Sequence, residues 1–326
     1  MPEFDLISRL QEIICIPPGR EAAKCVVGIG DDGAVLDVPD HRNLVVCTDS
    51  LVAGVHFPAG TDPAAIGHKA LAVNLSDLAA MGADPAWFFM ALTLPSEDRG
   101  WLDSFARGMA KLAGQARIVL AGGDVSSGPL SITITALGLV EKDKALLRSG
   151  ASAGDLVVVS GTPGAAAQAL KKLQRGEVPD PSDRAALEFP VPRLELGYAL
   201  VGIATACIDI SDGLIADLGH LLEQSRGGAE VELDKLPCPE SFKGLGDEER
   251  WSLQLAGGDD YELCFTVAPD SAAELAEISR SCGVELTVIG AINDRQGLAL
   301  KTGSGELYEP GFAAYQHFEA QGADIR

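Results

Sequence analysis

Five short apolar runs in this chain end in the same way, in a tight stretch of Gly, Ser or Thr carrying one or two aspartates. The stretches are Gly30-Asp31-Asp32-Gly33, Thr48-Asp49-Ser50, Gly122-Gly123-Asp124, Asp209-Ile210-Ser211-Asp212-Gly213 and Gly257-Gly258-Asp259-Asp260. Aspartate is disfavoured inside strands and favoured in turns, so any one of them reads as turn chemistry. Five together ask for more: strand ends that present carboxylates toward a common place. A helix expected over 63–81 adds a sixth element. Asp62 is its N-cap, Pro63 its first position and Gly82 its stop. Asn74 and Asp77 lie three apart on one face of it, inside the apolar run from Ala70 to Met81. Ser76 and Asp77 could mark the solvent side of this helix. Apolar residues flank Asp77 on both sides and leave no clean polar stripe, which favours a site role.

Carboxylates that converge cannot all stay ionised unaided. Two of them about 4 Å apart repel by about 4 kcal/mol at an effective dielectric of about 20. The cluster must protonate, spread or bind cations. Single carboxylates suit Mg2+, which keeps waters and shares phosphate oxygens. Zinc is a poor fit, because His is scarce and no Cys/His spacing matches. The whole chain is acidic as well, with 47 Asp and Glu against 25 Lys and Arg, a net charge of -22. Such a surface disfavours nucleic acid and anionic membranes as partners. A phosphate ligand would need metal ions to mediate it.

Two phosphate-binding motifs are excluded. No Gly-Lys pair occurs, so there is no P-loop. Gly28, Gly30 and Gly33 match the spacing of the dinucleotide fingerprint, but the following Ala34 to Pro39 reads as a strand, where that fingerprint must open a helix.

A chain of 326 residues suggests two domains. At 47% hydrophobic and 22% charged it reads as soluble and globular, and at 5% aromatic its core must be aliphatic. Helices are expected at 4–14 and 96–112, with strands at 44–48, 86–94, 117–121 and 130–140. The 44–48 strand reads as buried and ending at Asp49. The composition breaks at 141–150, which divides the chain into 1–145 and 146–326. Beyond it, strands are expected at 155–160, 204–209, 261–267 and 284–290. Helices are expected at 163–173, from the Asp209 stretch to about 224, at 247–256 and at 270–281, with 176–184 as loop. Both parts read as α/β or α+β. Seven cysteines, an odd number without a C-x-x-C, argue against a disulfide framework. The start lacks the basic and apolar regions of a signal peptide, and the longest apolar stretch, 86–92, is too short for a bilayer. A cytoplasmic protein is expected.

Taken together, these stretches resemble the thiamine-monophosphate kinase family. The resemblance runs through Gly28-Ile-Gly-Asp-Asp32, Thr48-Asp49 to His56-Phe57, Lys69 to Pro85, Gly122-Gly123-Asp124, Asp209 to Gly213 and Gly257 to Leu263. It spans nearly the whole chain in order, and segment 69–85 separates it from the wider aminoimidazole ribonucleotide synthetase-like superfamily. It implies two α/β domains in that architecture, with the N-terminal one forming a homodimer. It implies ATP-dependent phosphorylation of thiamine monophosphate, with several Mg2+ ions. By position, Asp32, Thr48, Asp49, Asp77, Asp124, Asp209 and Asp212 resemble the metal ligands. Gly123, Asp124, Arg148 and Ser211 resemble ATP contacts, and His56, Asp259 and Tyr315 resemble contacts to thiamine. Family members often have Ser at Cys47 and commonly Glu at Asp259, one methylene longer.

The residues agree with such a reaction. A phosphate monoester, with its second pKa of about 6, is largely ionised at neutral pH and needs no strong general base. The barrier is repulsion between anions, which metals and a fixed arginine such as Arg148 would relieve. Without the resemblance, Tyr315 reads equally as packing or as a stacking platform, and Arg148 equally as a linker charge. Two other readings stay open: a related ATP-dependent synthetase acting on another metabolite, and a non-catalytic acidic Mg2+- or nucleotide-binding protein.

Overall fold

The structure, a computed structural model, describes residues 3–14 and 24–312. The N-terminal part runs α1 (Glu3–Ile13), β1 (Lys24–Val27), β2 (Val35–Asp37), β3 (Arg42–Val52), α2 (Pro63–Ala80), β4 (Asp84–Leu94), α3 (Arg99–Ala116), β5 (Val119–Ser127) and β6 (Ser131–Glu141). The chain continues through β7 (Leu156–Ser160), α4 (Ala165–Gln174), α5 (Pro181–Glu188), α6 (Leu194–Ala199), β8 (Ala204–Ile210), α7 (Leu214–Ser225) and β9 (Gly228–Glu232). It closes with α8 (Asp247–Ala256), β10 (Glu262–Val267), α9 (Ala272–Cys282), β11 (Leu286–Asn293) and β12 (Gly297–Lys301).

Two larger sheets organise these elements, beside the short antiparallel β1–β2 pair. The first has the order β3-β6-β4-β5, antiparallel except for the parallel β4–β5 pair. Helices α2 and α3 cover one face of it, and Leu71, Leu75, Phe88, Phe105, Met109, Ile132 and Ile134 fill the layer between. The helices cross at van der Waals limit because Gly67 and Gly108 meet there. A Cβ on Gly108 would stand 1.9 Å from the Ala64 carbonyl oxygen, and one on Gly67 2.1 Å from that of Phe105. Trp101 stacks on Phe105 at 5.1 Å, at the edge of this core rather than inside it. Arg9 ties α1 to α3 through both oxygens of Asp103, at 2.9 and 3.0 Å. The second sheet has the order β12-β9-β11-β7-β10-β8, with only β12–β9 parallel. The architecture is therefore mixed helix and sheet, with α7 and α8 packed on one face of the second sheet and α6 and α9 on the other.

Helix α2 is the seam between the two parts. Asp62 caps it by accepting from the Ala64 N–H at 2.9 Å, Pro63 opens it, and Gly82 leaves it with φ +64°. Fifteen of its residues are buried, because it packs on the first sheet on one side and on α6 and β8 on the other. His68 Nε2 lies 2.8 Å from the Pro190 carbonyl oxygen across this seam.

Several expectations change. The strands expected to stop at Asp49 and at 121 continue, so Thr48-Asp49-Ser50 and Gly122-Gly123-Asp124 are strand residues, not turns. Ladder pairing overrides the local turn preference: Thr48 faces Thr135, Asp49 faces Ile134, and Gly123 faces Met90. Strand β3 is also not buried; its residues are exposed or half-exposed except Leu51. The loop expected at 176–184 contains the start of α5, opened by Asp180-Pro181 in the manner of Asp62-Pro63. Strands β9 and β12 lie outside the expected elements, although Ala229-Glu230-Val231-Glu232 in β9 alternates apolar and polar residues. Among the described residues no helix is long and apolar enough to cross a membrane.

Candidate active site

A cavity of ≈ 730 Å³ opens along the seam between β3, α2, α4, β8 and the stretch before β10. Eight of the residues singled out from sequence line it: Thr48, Asp49, His56, Asp77, Asp209, Ser211, Asp212 and Asp259. They come from separate segments of both parts, and each is brought there by a specific local cause. Asp77 stands on the seam helix. Asp209 ends β8, and its Oδ2 accepts from the buried Ser76 hydroxyl at 2.7 Å. Ser76 is thus a buried tether and not a solvent-side residue. Ser211 and Asp212 sit in the turn into α7, where Asp217 Oδ2 accepts from both of their N–H groups at 2.9 and 3.0 Å. Asp259 enters the cavity from a backbone at φ +68°.

The acids press on one another. Burial, then Asp209 and Asp49, push the Asp77 carboxyl up to about 8. Burial pushes Asp209 up to about 6, and the nearby Arg148 guanidinium and the Ser76 hydroxyl hold back part of that rise. Asp49 is raised by burial and by Asp212, against a hydrogen bond with Asp77 and the His56 charge that lower it. Asp217 reaches about 7 through burial and Asp209. Desolvated carboxylates this close resist ionising together unless cations join them. Among the described residues no three or more His, Cys, Asp or Glu form a closed ligand set. The acids fit a cation that takes one or two carboxylates and completes its shell with water and phosphate, as Mg2+ does.

Arg148 is exposed and does not line the cavity, but its charge reaches Asp209. Thr48 is exposed, and its hydroxyl donates to the Ile134 carbonyl oxygen at 3.0 Å. Cys47 lies beside the acids, donates to the Asn74 carbonyl oxygen at 3.3 Å, and burial keeps its thiol protonated. Tyr315 lies outside the described residues.

The remaining residues sit elsewhere. Asp32, Gly123 and Asp124 line a second cavity of ≈ 550 Å³ between the Gly28–Gly33 stretch, α1 and β5. The ladder registers relate the two places. Asp49, Ile134, Met90 and Gly123 stand in one row across the sheet, while Asp124 is in the next row with Ala91, Thr133 and Ser50. Opposed residues share a face and adjacent rows alternate. Asp49 and Asp124 therefore leave opposite faces of the sheet, from its two edge strands, three steps or about 14 Å apart.

Sequence reasoning missed three groups at this site. Lys69 Nζ lies 2.9 Å from Asp259 Oδ1, and the Tyr261 hydroxyl donates to the same oxygen at 2.8 Å. Asp260 Oδ1 accepts from the Gly164 N–H at 2.8 Å, which holds the start of α4 against the cavity. The partners of Lys69 and Asp260 are remote in sequence, and the Tyr261 contact to Asp259 depends on the positive-φ backbone of both residues, so no spacing rule marks the three.

Two family descriptions cover most of the chain: AIR synthase related protein, N-terminal domain, over residues 30–140, and the C-terminal domain over 152–303. The thiamine-monophosphate kinase of Escherichia coli K12 is 45% identical over 97% of this chain and 98% of its own. That of Haemophilus influenzae is 44% identical over 91% of both. The chain belongs to the thiamine-monophosphate kinase family. A solved thiamine-monophosphate kinase from Stenotrophomonas maltophilia superposes with TM-score 0.85 at 43% identity, covering 94% of this chain and 98% of that one. A structure of AaThiL complexed with AMPPCP and TMP superposes with TM-score 0.76 at 29% identity over 97% of each chain. The hydrogenase maturation protein HypE, at 21% identity and TM-score 0.74, shares the fold.

Proposed function

We propose that this chain transfers the γ-phosphoryl group of ATP to the phosphate of thiamine monophosphate, forming thiamine diphosphate and ADP. The observation that carries the reading is the seam cavity, which gathers Asp49, Asp77, Asp209 and Asp212 with His56 and Asp259. The relatives support it, and AaThiL has been solved with an ATP analogue and TMP together.

Asp49, Asp77, Asp209 and Asp212 would hold Mg2+ ions, with Thr48 at their margin. Bound Mg2+ would neutralise charge that builds on the phosphates during in-line transfer. Asp217 keeps the Ser211–Asp212 turn in place through two N–H bonds, so that Ser211 can face the nucleotide. Arg148 adds positive charge beside Asp209. His56 and Asp259 face the thiamine end, and Tyr315 belongs with them. No side chain acts as general base, since the attacking phosphate oxygen is already ionised. Residues 1–145 form the ATP- and Mg2+-binding and dimerising domain, and 146–326 contribute nucleotide and substrate contacts together with Asp209 and Asp212, in a cytoplasmic enzyme.

Asp32, Gly123 and Asp124 join the same reaction through a homodimer. Mg–O bonds of about 2 Å cannot connect carboxylates on opposite faces of one sheet. A second copy, related by a twofold axis, can bring its Asp124 to the first copy's Asp49. Strand β3 is an open edge, and Val26, Val35, Leu44 and Val46 nearby are 63%, 53%, 41% and 56% exposed, which supports an interface there. The purified protein with ATP, Mg2+ and thiamine monophosphate should yield thiamine diphosphate and ADP in equal amounts. ADP release without thiamine diphosphate would refute the reading.

A further inference from the structure

Lys69 is 3% exposed on α2, next to the buried His68 and before the buried apolar run Ala70 to Val73. A buried ammonium needs a compensating partner, and this one has two. Its Nζ lies 2.9 Å from Asp259 Oδ1 and donates to the His56 carbonyl oxygen at 3.3 Å. His56 precedes α2 in the first part of the chain, whereas Asp259 belongs to the second. One cation therefore spans the seam and touches both segments that face the thiamine end of the cavity.

Asp259 is fixed from other directions too. The Tyr261 hydroxyl donates to Oδ1 at 2.8 Å. Asp259 and Tyr261 have φ values of +68° and +53°, which non-glycine residues adopt only when the surroundings hold them. The Asp259 N–H donates to the Ser211 carbonyl oxygen at 2.9 Å and the Tyr261 N–H to that of Ile210 at 2.8 Å. Oδ1 is thus engaged twice, and Oδ2 has no partner among the described residues. The pair is close to neutral as a unit. What it offers the cavity is one oriented acceptor, not a free anion.

We propose that Lys69 is a positioning residue for substrate specificity: it holds Asp259 and the His56 main chain so that Oδ2 of Asp259 accepts from an N–H donor on the aromatic part of the substrate. This rests on the reading of the cavity as the thiamine monophosphate site. An amino group on a flat heteroaromatic ring is the matching chemistry, since it donates without carrying a charge that would compete with Lys69 for the Asp259 carboxylate.

Steady-state kinetics on the wild type, Lys69→Met, Lys69→Arg, Asp259→Asn and the Lys69→Met/Asp259→Asn double variant test this. Lys69→Met should raise KM for thiamine monophosphate by about tenfold or more, with KM for ATP within about twofold. Lys69→Arg, which keeps the charge, should recover most of that loss. The double variant should be no worse than the weaker single one, because both remove the same pair. Equal rises in both KM values, or independent effects that multiply in the double variant, would overturn the proposal. If Lys69→Met does not fold, Lys69→Gln, which keeps hydrogen bonding and drops the charge, decides: it should raise KM for thiamine monophosphate alone, and an unchanged or ATP-side KM overturns the proposal. A wild type that makes no thiamine diphosphate would instead overturn the functional reading, and the inference with it. A working wild type with an unaltered Lys69→Met would remove only the inference.

Discussion

Asp77 shows how one residue carries opposite demands. Its neighbours and its burial hold its carboxyl up to about 8, so the metal-free fold prefers it protonated. The proposed chemistry needs it ionised on a cation. Because the folded pKa lies above the ordinary carboxylate range, the wild type loses stability as pH rises from about 4 toward 8, where the unfolded chain has already released the proton. Asp77→Asn removes that penalty. In metal-free buffer the margin by which the variant melts above the wild type should widen from pH 5 to pH 8, by thermal denaturation. Its kcat with ATP and Mg2+ should fall by about a hundredfold or more. A variant with near-normal kcat would take Asp77 out of the metal set. Cys47, beside it, has no comparable role: its thiol is protonated and spends its hydrogen bond on the Asn74 carbonyl oxygen.

At the scale of elements, the site depends on how closely α2 and α3 approach. Gly108 has no room for a Cβ against Ala64, and the contact is backbone, which cannot swing aside. Gly108→Ala should therefore cost about 2–4 kcal/mol of folding stability and loosen the seam helix that carries Lys69 and Asp77. Gly114 is six residues further along α3, exposed, with nothing within 4 Å of its would-be Cβ. Gly114→Ala should stabilise by about 0.5–1 kcal/mol, since alanine only gains helix propensity there. Urea melts of the two variants separate close packing from propensity; equal effects would mean the crossing is looser than the structure has it.

At the scale of the whole molecule, two edge strands of one sheet hold acids that one reaction is proposed to use. Copies of Asp49→Asn and Asp124→Asn should each be inactive alone. Unfolded together and refolded as a mixture, half of the dimers combine one of each, and one of their two sites is intact. Activity should return to about a quarter of the wild-type level. No recovery, with mixed dimers demonstrated by differential tags, would place both acids in a single-chain site or remove one of them from the reaction.

What the sequence determined by itself was the chemistry and the family. The excess of acids, 47 against 25 basic residues, disfavoured nucleic acid as a partner and pointed to cations. Segment 69–85 carried the family, and the Asp62-Pro63 and Gly82 signals bounded α2 because caps act through neighbouring backbone groups. Tertiary structure alone decided which acids meet. Turn preference placed Thr48-Asp49-Ser50 and Gly122-Gly123-Asp124 at strand ends, yet ladder pairing carries both strands onward. A side chain's face alternates with every residue, so only the register separates Asp49 from Asp124. The partners of Lys69 and Ser76 likewise came from packing. Lys69 and Ser76 pair with carboxylates more than a hundred residues away, and no local pattern encodes such a distance.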